Sequence, residues 1–340
     1  MDLTLSAEQQ TIRDAIRDLL AERSPLSRVR AVMSEEPGVD AAVWREAGGL
    51  GWFGLGVPEA GGGAGYGLPE EMILFVELGR ALAPGPWLGT VLAAHALATT
   101  RDAEPVLAGT RRVAVIDDPA DALGTGGRLD GTAARVPDGD NAEGFLVLGR
   151  EIARYAAGDA RGLSRATSAS IDPTRRLADV RFEGVAATVL PSDAAALRRA
   201  ATVLAAAEAV GIAERTLEAS VEYGKVRQQF GRPIGSFQAV KHRCADMAVR
   251  AEVARAVTAY AAVAVRDAAD EAPRQVHVAK ALSVGAAIAN ATDNVQNHGG
   301  MGYTWEADAH LYLKRAWLLE HAFGTRTGHL DALAAPWRAR

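Results

Sequence analysis

From residue 193 to the end, the chain is written almost without pause in helical period. Val203, Val210 and Leu217 recur every seven residues. Phe237, Val240, Cys244, Met247, Ala251 and Ala254 step by three and four. A third run holds Val278, Leu282, Gly285 and Ala289, and a fourth Leu313 and Trp317. Such spacing places one face of each helix against its neighbours. The density of alanine lets helix axes approach closely. The expectation is an antiparallel helical bundle over 193–340. Two glycine-bearing stretches interrupt it, "VRQQFGRPIGSFQ" (226–238) and "QNHGGMGYTWE" (296–306).

The preceding part divides in two. Ser6 with Gln9 fits a reciprocal N-terminal cap before the stripe Ile12, Ile16, Leu19. Trp44–Leu50 and "EEMILFVELGRALA" (70–83) are also helical, so 1–110 reads as a helical domain. Between these lies "GVPEAGGGAGYGLPEE" (56–71). Its glycines resemble a dinucleotide fingerprint, but no strand leads into them and Pro69 follows, so a loop is expected. From 111 the texture turns to short apolar runs, "RRVAVID" and "GFLVLG". In "LADVRFEGV", Ala178, Val180 and Phe182 alternate with Asp179, Arg181 and Glu183, the mark of a half-buried strand. Residues 111–192 read as a small, mostly antiparallel β domain.

Charge and cysteine content bound the function. A net charge of −5 over 340 residues gives no general attraction to nucleic acid or anionic membranes, though a local phosphate-binding patch remains compatible with it. The single cysteine, Cys244, forbids an internal disulfide and is read as a buried structural thiol. "MDLTLSAEQQ" has no signal-peptide pattern, and the longest apolar run, "AVTAYAAVAV" (256–265), is too short to span a bilayer. A cytoplasmic protein is expected. His298, His310, His321 and His329 cluster late in the chain without metal-ligand spacing, so no metal site is expected and surface histidines are the reading. Neither a GxSxG elbow nor a paired-cysteine motif occurs.

The two interrupting stretches are the places for chemistry. Arg227 joins a helix ending near Tyr223 to one starting near Ser236 and offers a planar fork of donors to phosphate or carboxylate. Gly299, Gly300 and Gly302 permit close backbone approach to a ligand. Each stretch alone reads equally well as a helix corner.

Together they resemble the acyl-CoA dehydrogenase family. "RQQFGRPIGSFQAVKHRCADM" (227–247) is similar to its RxxFGxPIxxFQ signature, and "QNHGGMGYTWEADAHLYLKRA" (296–316) to its QxxGGxGxTxE signature. "LSAEQQTIRDAIRDLL", "GLGVPEAGGGAGYG", "ELGRALAP" and "DPTRRLADVRFEGV" look like other family segments, so the likeness spans nearly the whole chain. It implies a mainly α fold with a small middle β domain and a C-terminal four-helix bundle. It implies FAD, an acyl-CoA substrate, α,β-desaturation of the thioester and electron delivery to an electron-transfer flavoprotein. By the same resemblance, Arg227 grips the FAD diphosphate across a subunit boundary, with Phe230 and Gln238 beside it. Gln296, Gly299 and Gly300 line the adenosine end, and Thr325 also touches cofactor.

The departures are as informative. The family's glutamate base precedes Gly-Thr in the last loop; here Phe323 precedes Gly324 and Thr325. A minority of the family carries the base on the helix before RxxFG, and that place is Ala201 here. Phenylalanine and alanine accept no proton. Glu320 is the nearest weak candidate and reads as a solvent-facing helix-end carboxylate; Glu208, Glu214 and Glu218 read as solvated or interhelical charges. The Thr-Glu-Pro…Gly-Ser-Asp and Trp-Ile-Thr segments that flank the flavin ring in the family are absent from 116–144. What reaches a neighbour's flavin is kept while what holds the chain's own is eroded. That pattern resembles the smaller, base-less subunit of actinobacterial heteromeric enzymes of the steroid side-chain type, whose larger homologous partner supplies the base. The alternatives are an active homo-oligomer with a displaced base or other flavin chemistry, and a non-enzymatic acyl-CoA-binding or assembly protein.

Overall fold

A computed structural model describes residues 3–338, and the side chains of 3–335. The chain forms two compact units, one from residues up to 21, 72–83 and 202 onward, the other from 22–71 and 84–201. Helices α1 (Ala7–Arg23), α2 (Leu26–Val32), α3 (Ala41–Gly49), α4 (Leu68–Ala81), α5 (Trp87–Leu97) and α6 (Ala103–Leu107) come first. The expected cap is present: Ser6 N donates to Gln9 Oε1 at 3.0 Å and Gln9 N to Ser6 Oγ at 3.1 Å. The glycine-rich stretch is a loop with short 3-10 turns and no strand before it, which removes the dinucleotide reading.

In the second unit Trp44, Phe53 and Trp87 pack with ring centroids 4.6–5.5 Å apart, and the two indole N–H groups reach Gly109 O and Pro84 O. Strands β1 (Val113–Asp117), β3 (Gly144–Leu148), β4 (Ile152–Ala157) and β7 (Thr188–Asp193) form one sheet in the order β1-β3-β4-β7. Strands β2 (Arg128–Pro137), β6 (Leu177–Ala186) and β5 (Leu163–Ser168) form a second, in the order β2-β6-β5. Every pairing is antiparallel except β1 with β3. The alternation read in β6 is real: Val180 and Phe182 are buried and Arg181 and Glu183 exposed. Phe182 meets Phe145 edge-on at 6.0 Å in the core between the sheets.

The bundle consists of α7 (Ala194–Val226), α8 (Gln238–Arg266), α9 (Ala272–His298), α10 (Ala309–His321) and α11 (Arg326–Arg338). A two-residue hairpin, β8 (Gln228–Gln229) with β9 (Arg232–Pro233), joins α7 to α8. Its core is small-residue packing: Val210 and Ala213 of α7 meet Ala251, Ala254 and Ala286. Glycine sets the approach of α4 to α7. A Cβ on Gly211 would lie 2.0 Å from Val76 O, and one on Gly79 2.1 Å from Glu208 O.

The third helical run departs from its expected face. Leu282 is 40% exposed, and Val278, Gly285 and Ala289 are only half-buried. The buried stripe of α9 instead carries Lys280, Ser283, Asn290 and Asn294. Each is satisfied internally: Asn290 Nδ2 donates to Ala213 O and Met247 O, Ser283 shares a hydrogen bond with Thr258, and Asn294 accepts from Ser220. A buried polar group that is fully bonded costs little, so these sit on the buried face among Val276, Ala279, Val284, Ala287, Ala291 and Val295, and the stripe through Val278 and Leu282 marks the wrong face. Cys244 is half-buried rather than buried, and desolvation raises its thiol pKa, which leaves it protonated and inert.

Candidate functional site

Both signature stretches emerge at one end of the bundle. The last turn of α7 continues past Tyr223 to Val226, and the chain then reverses through the hairpin. Phe230 and Gly231 sit at its tip with φ of 55° and 78°. A left-handed backbone is strained for phenylalanine. Its ring is nonetheless 90% exposed. Beneath it, Phe237 packs edge-on to Phe230 at 6.1 Å, and the Arg232 guanidinium lies 4.2 Å from the Phe237 ring centroid. Arg227 differs from Arg232. It is exposed, and its guanidinium makes no hydrogen bond or ion pair among the described residues.

The end of α9 meets this hairpin through contacts that sequence reading missed. His298 stacks on Tyr223 with centroids 4.2 Å apart, and its Nδ1 bonds Asn294 O. Arg243 donates to Asn297 Oδ1 at 2.8 Å and pairs with Asp293. His298 is thus a spacer between the two motifs, not the free surface histidine its spacing suggested. Gln296 is exposed in the last turn, and Gly299 turns the chain with φ 60°. A Cβ on Gly299 or Gly300 would meet nothing within 4 Å. These glycines serve no packing need in this chain, so their bareness fits a ligand laid against the backbone. Met301, Tyr303 and Trp305 continue the surface at 50%, 80% and 56% exposure.

The electrostatics of this end oppose the acidic whole. Lys225, Arg227, Arg232, Lys241 and Arg243 fall in a stretch, 223–245, that holds no acid. Counting charge along that window would have found the patch from sequence. Arg227, Phe230, Gln238, Gln296, Gly299 and Gly300 are therefore presented together, on a cationic and partly aromatic surface.

Thr325 is not among them. It belongs to the turn between α10 and α11, which is fastened to Lys280, 16 residues before Gln296 and so about 24 Å away along α9. Its Oγ1 caps α11 by accepting from Gly328 N at 3.1 Å. In the same turn Phe323 has φ 54° and Gly324 φ 99°. Glu320 does not face solvent as expected: Oε1 accepts from Arg326 N at 2.9 Å, and Oε2 is buried without a hydrogen-bond partner. Glu208 is the interhelical alternative: it is buried and pairs at 2.6 Å with the wholly buried Arg315 of α10. Glu214 and Glu218 are interhelical and pair with Arg80. Desolvation raises the Glu214 pKa, with Arg80 opposing it. Ala201 is fully buried. Among the described residues no cluster of three or more His, Cys, Asp or Glu could hold a metal ion.

Comparison with known proteins fits this arrangement. The profile described as "Acyl-CoA dehydrogenase, C-terminal domain" matches residues 194–336, and "Acyl-CoA dehydrogenase, N-terminal domain" matches 6–103. The chain belongs to the acyl-CoA dehydrogenase family. Members are FAD-dependent oxidoreductases acting on CH–CH bonds. Acyl-CoA dehydrogenase IpdE2 of Mycobacterium tuberculosis (strain ATCC 25618 / H37Rv) is 38% identical over 323 residues, covering 92% of each chain. Two solved structures share the fold at a TM-score of 0.89. One is titled Tcur3481-Tcur3483 steroid ACAD G363A variant, with 29% identity, covering 99% of this chain and 100% of that one. The other is the ChsE4-ChsE5 complex from Mycobacterium tuberculosis, with 27% identity and all of both chains covered. Among the described residues no helix is long and apolar enough to cross a membrane.

Proposed function

We propose that this acyl-CoA dehydrogenase chain completes an FAD site held mainly by a second, larger homologous subunit, which supplies the catalytic base. Bound FAD supplies the hydride acceptor for desaturation of an acyl-CoA thioester. This chain's residues hold the far end of the cofactor: the Arg227 guanidinium takes the diphosphate, Phe230 and Gln238 flank it, and the bare backbone at Gly299 and Gly300, with Gln296, receives the adenosine half. A cationic stretch that holds no acid of its own over 223–245 suits a diphosphate, and charge-assisted bidentate contacts are the strong ones. The observation that carries the proposal is the outward-facing grip itself. Phe230 is strained and 90% exposed with only the edge of Phe237 beside it, and the Arg227 guanidinium next to it has no partner among the described residues.

The missing base supports the same reading. Proton removal from the α-carbon needs a carboxylate in a dry pocket, and Phe323 stands at that place in the sequence. Glu320 spends one oxygen on the turn's backbone, so a Glu320→Gln variant is expected to leave turnover of the mixed assembly unchanged. The two-chain titles of the structural relatives agree with a paired subunit. Reduced enzyme would pass electrons to an electron-transfer flavoprotein.

The test is co-expression with a longer homologue bearing the glutamate, followed by a count of flavin per chain. The mixed assembly should retain FAD, and Arg227→Ala or Phe230→Ala should lose most of it while leaving the chain's melting temperature unchanged. A yellow chain that oxidises acyl-CoA without any partner refutes the proposal.

A further inference from the structure

The turn from α10 to α11 is held by groups that the function above does not use. Lys280 is wholly buried, and its Nζ donates to Leu319 O at 3.0 Å and Gly324 O at 2.9 Å. His329 Nε2 lies 3.0 Å from Phe323 O. A carbonyl only accepts, so Nε2 carries the hydrogen and Nδ1 is bare. That bare Nδ1 lies 2.7 Å from Nδ1 of His277, which must therefore be the donor. One carbonyl thus sets the tautomer of both rings. Three backbone oxygens around the turn, at 319, 323 and 324, are tied to α9 directly or through this pair.

We infer that Lys280, His329 and His277 form a positioning device that fixes the α10–α11 turn, and with it the Phe323 ring, against α9. The turn needs such a device because Phe323 holds a left-handed backbone that its own side chain disfavours. The fit at Gly324 is close: a Cβ there would lie 2.9 Å from His329 Nε2 and push the ring off its carbonyl. The charged group that acts on the pair is Lys280 on α9, which itself feels Glu320 on α10. The pair accepts one proton without loss, on His277 Nε2, because His277 Nδ1–H still donates. A second proton would set two N–H groups head to head. Desolvation first, and the Lys280 charge next, press His329 down to about 4, so the device stays intact through the neutral range. The role of the turn rests on the function proposed above; its fastening does not.

The test uses the full chain, in the assembly in which it is purified, with ¹⁵N-labelled histidine. At pH 7 the imidazole spectrum should show neutral His329 hydrogenated at Nε2 and His277 hydrogenated at Nδ1. Lys280→Met should speed amide exchange at Ala322, Arg326 and His329 about tenfold or more, with amides in the middle of α7 and α8 unmoved. His277→Phe should raise the His329 titration point by about one pH unit. A His329 hydrogenated at Nδ1 or charged at pH 7, or turn amides indifferent to both variants, overturns the inference. Exchange that speeds equally along α7 and α8 also overturns it, because a merely structural lysine would act that way. Neither readout involves flavin, so this inference and the proposed cofactor role fail separately.

Discussion

Replacing Glu208 by glutamine tests the ion pair that ties α7 to α10. Arg315 has no exposed surface, the Glu208 side chain is 4% exposed, and they meet at 2.6 Å. Glutamine keeps the volume and one acceptor but removes the charge. The buried guanidinium then loses this counter-ion, and breaking one side of a buried pair costs about 3–5 kcal/mol. Against a domain stability of about 5–15 kcal/mol this is roughly a fifth or more. With a urea slope near the upper end of about 1–3 kcal/mol/M, the unfolding midpoint should fall by about 1–2 M. The double replacement Glu208→Leu with Arg315→Met removes both charges and should recover most of that loss, since apolar substitutes for a buried pair are often neutral or better. Glu208 lies 19 residues before Arg227, about 28 Å along α7. Flavin retention by the folded fraction should therefore be unchanged. A single variant within about 0.3 M of the parent, or a double variant worse than the single, would refute the reasoning.

Gly211→Ala should destabilise by about 1–3 kcal/mol through overpacking against Val76 O, read as a lower melting temperature, whereas Gly49→Ala, with nothing within 4 Å of its Cβ, should not. Acid should weaken the fold through His329. Its folded pKa is about 4 against 6.5 unfolded, so below pH 6.5 the unfolded chain takes the proton first. Stability is lost as pH falls from 6.5 towards 4, by about 3 kcal/mol for this group. The difference in urea midpoint between the parent and His329→Gln should shrink across that window; a constant difference sinks the assignment. Lys280 acts at the other end. Its folded pKa, lowered by burial to about 8, leaves the unfolded chain more protonated up to 10.5, so its contribution to stability rises with pH through that interval, and Lys280→Met should abolish the rise.

The parts legible in the sequence were those in which a residue acts on near neighbours along the chain. The Ser6–Gln9 cap closes within three residues, and the alternation in β6 depends only on the pleat. What was illegible depends on partners far apart. His277 and His329 are 52 residues apart and share no spacing rule, yet their rings meet across α9 and α11. The buried face of α9 was misplaced because asparagine, serine and lysine interrupt its alanines and valines, and the burial of those polar groups is matched by bonds to α7, α8 and the α10–α11 turn.

The candidate site shows the same division with a different outcome. Arg227 and the glycine pair could be singled out by their motifs, but not why they are left bare. An exposed guanidinium is hydrated at little cost, but a phenylalanine held in left-handed backbone with its ring in water is strained. Within this chain, Arg232 has a ring to cover, His298 has Tyr223 and Phe230 has only the edge of Phe237, while the Arg227 guanidinium has no partner among the described residues. On the function proposed above, the bare Arg227 guanidinium beside satisfied neighbours is what separates a helix corner from a grip, and the other half of that interaction belongs to a second chain, where no reading of this sequence could find it.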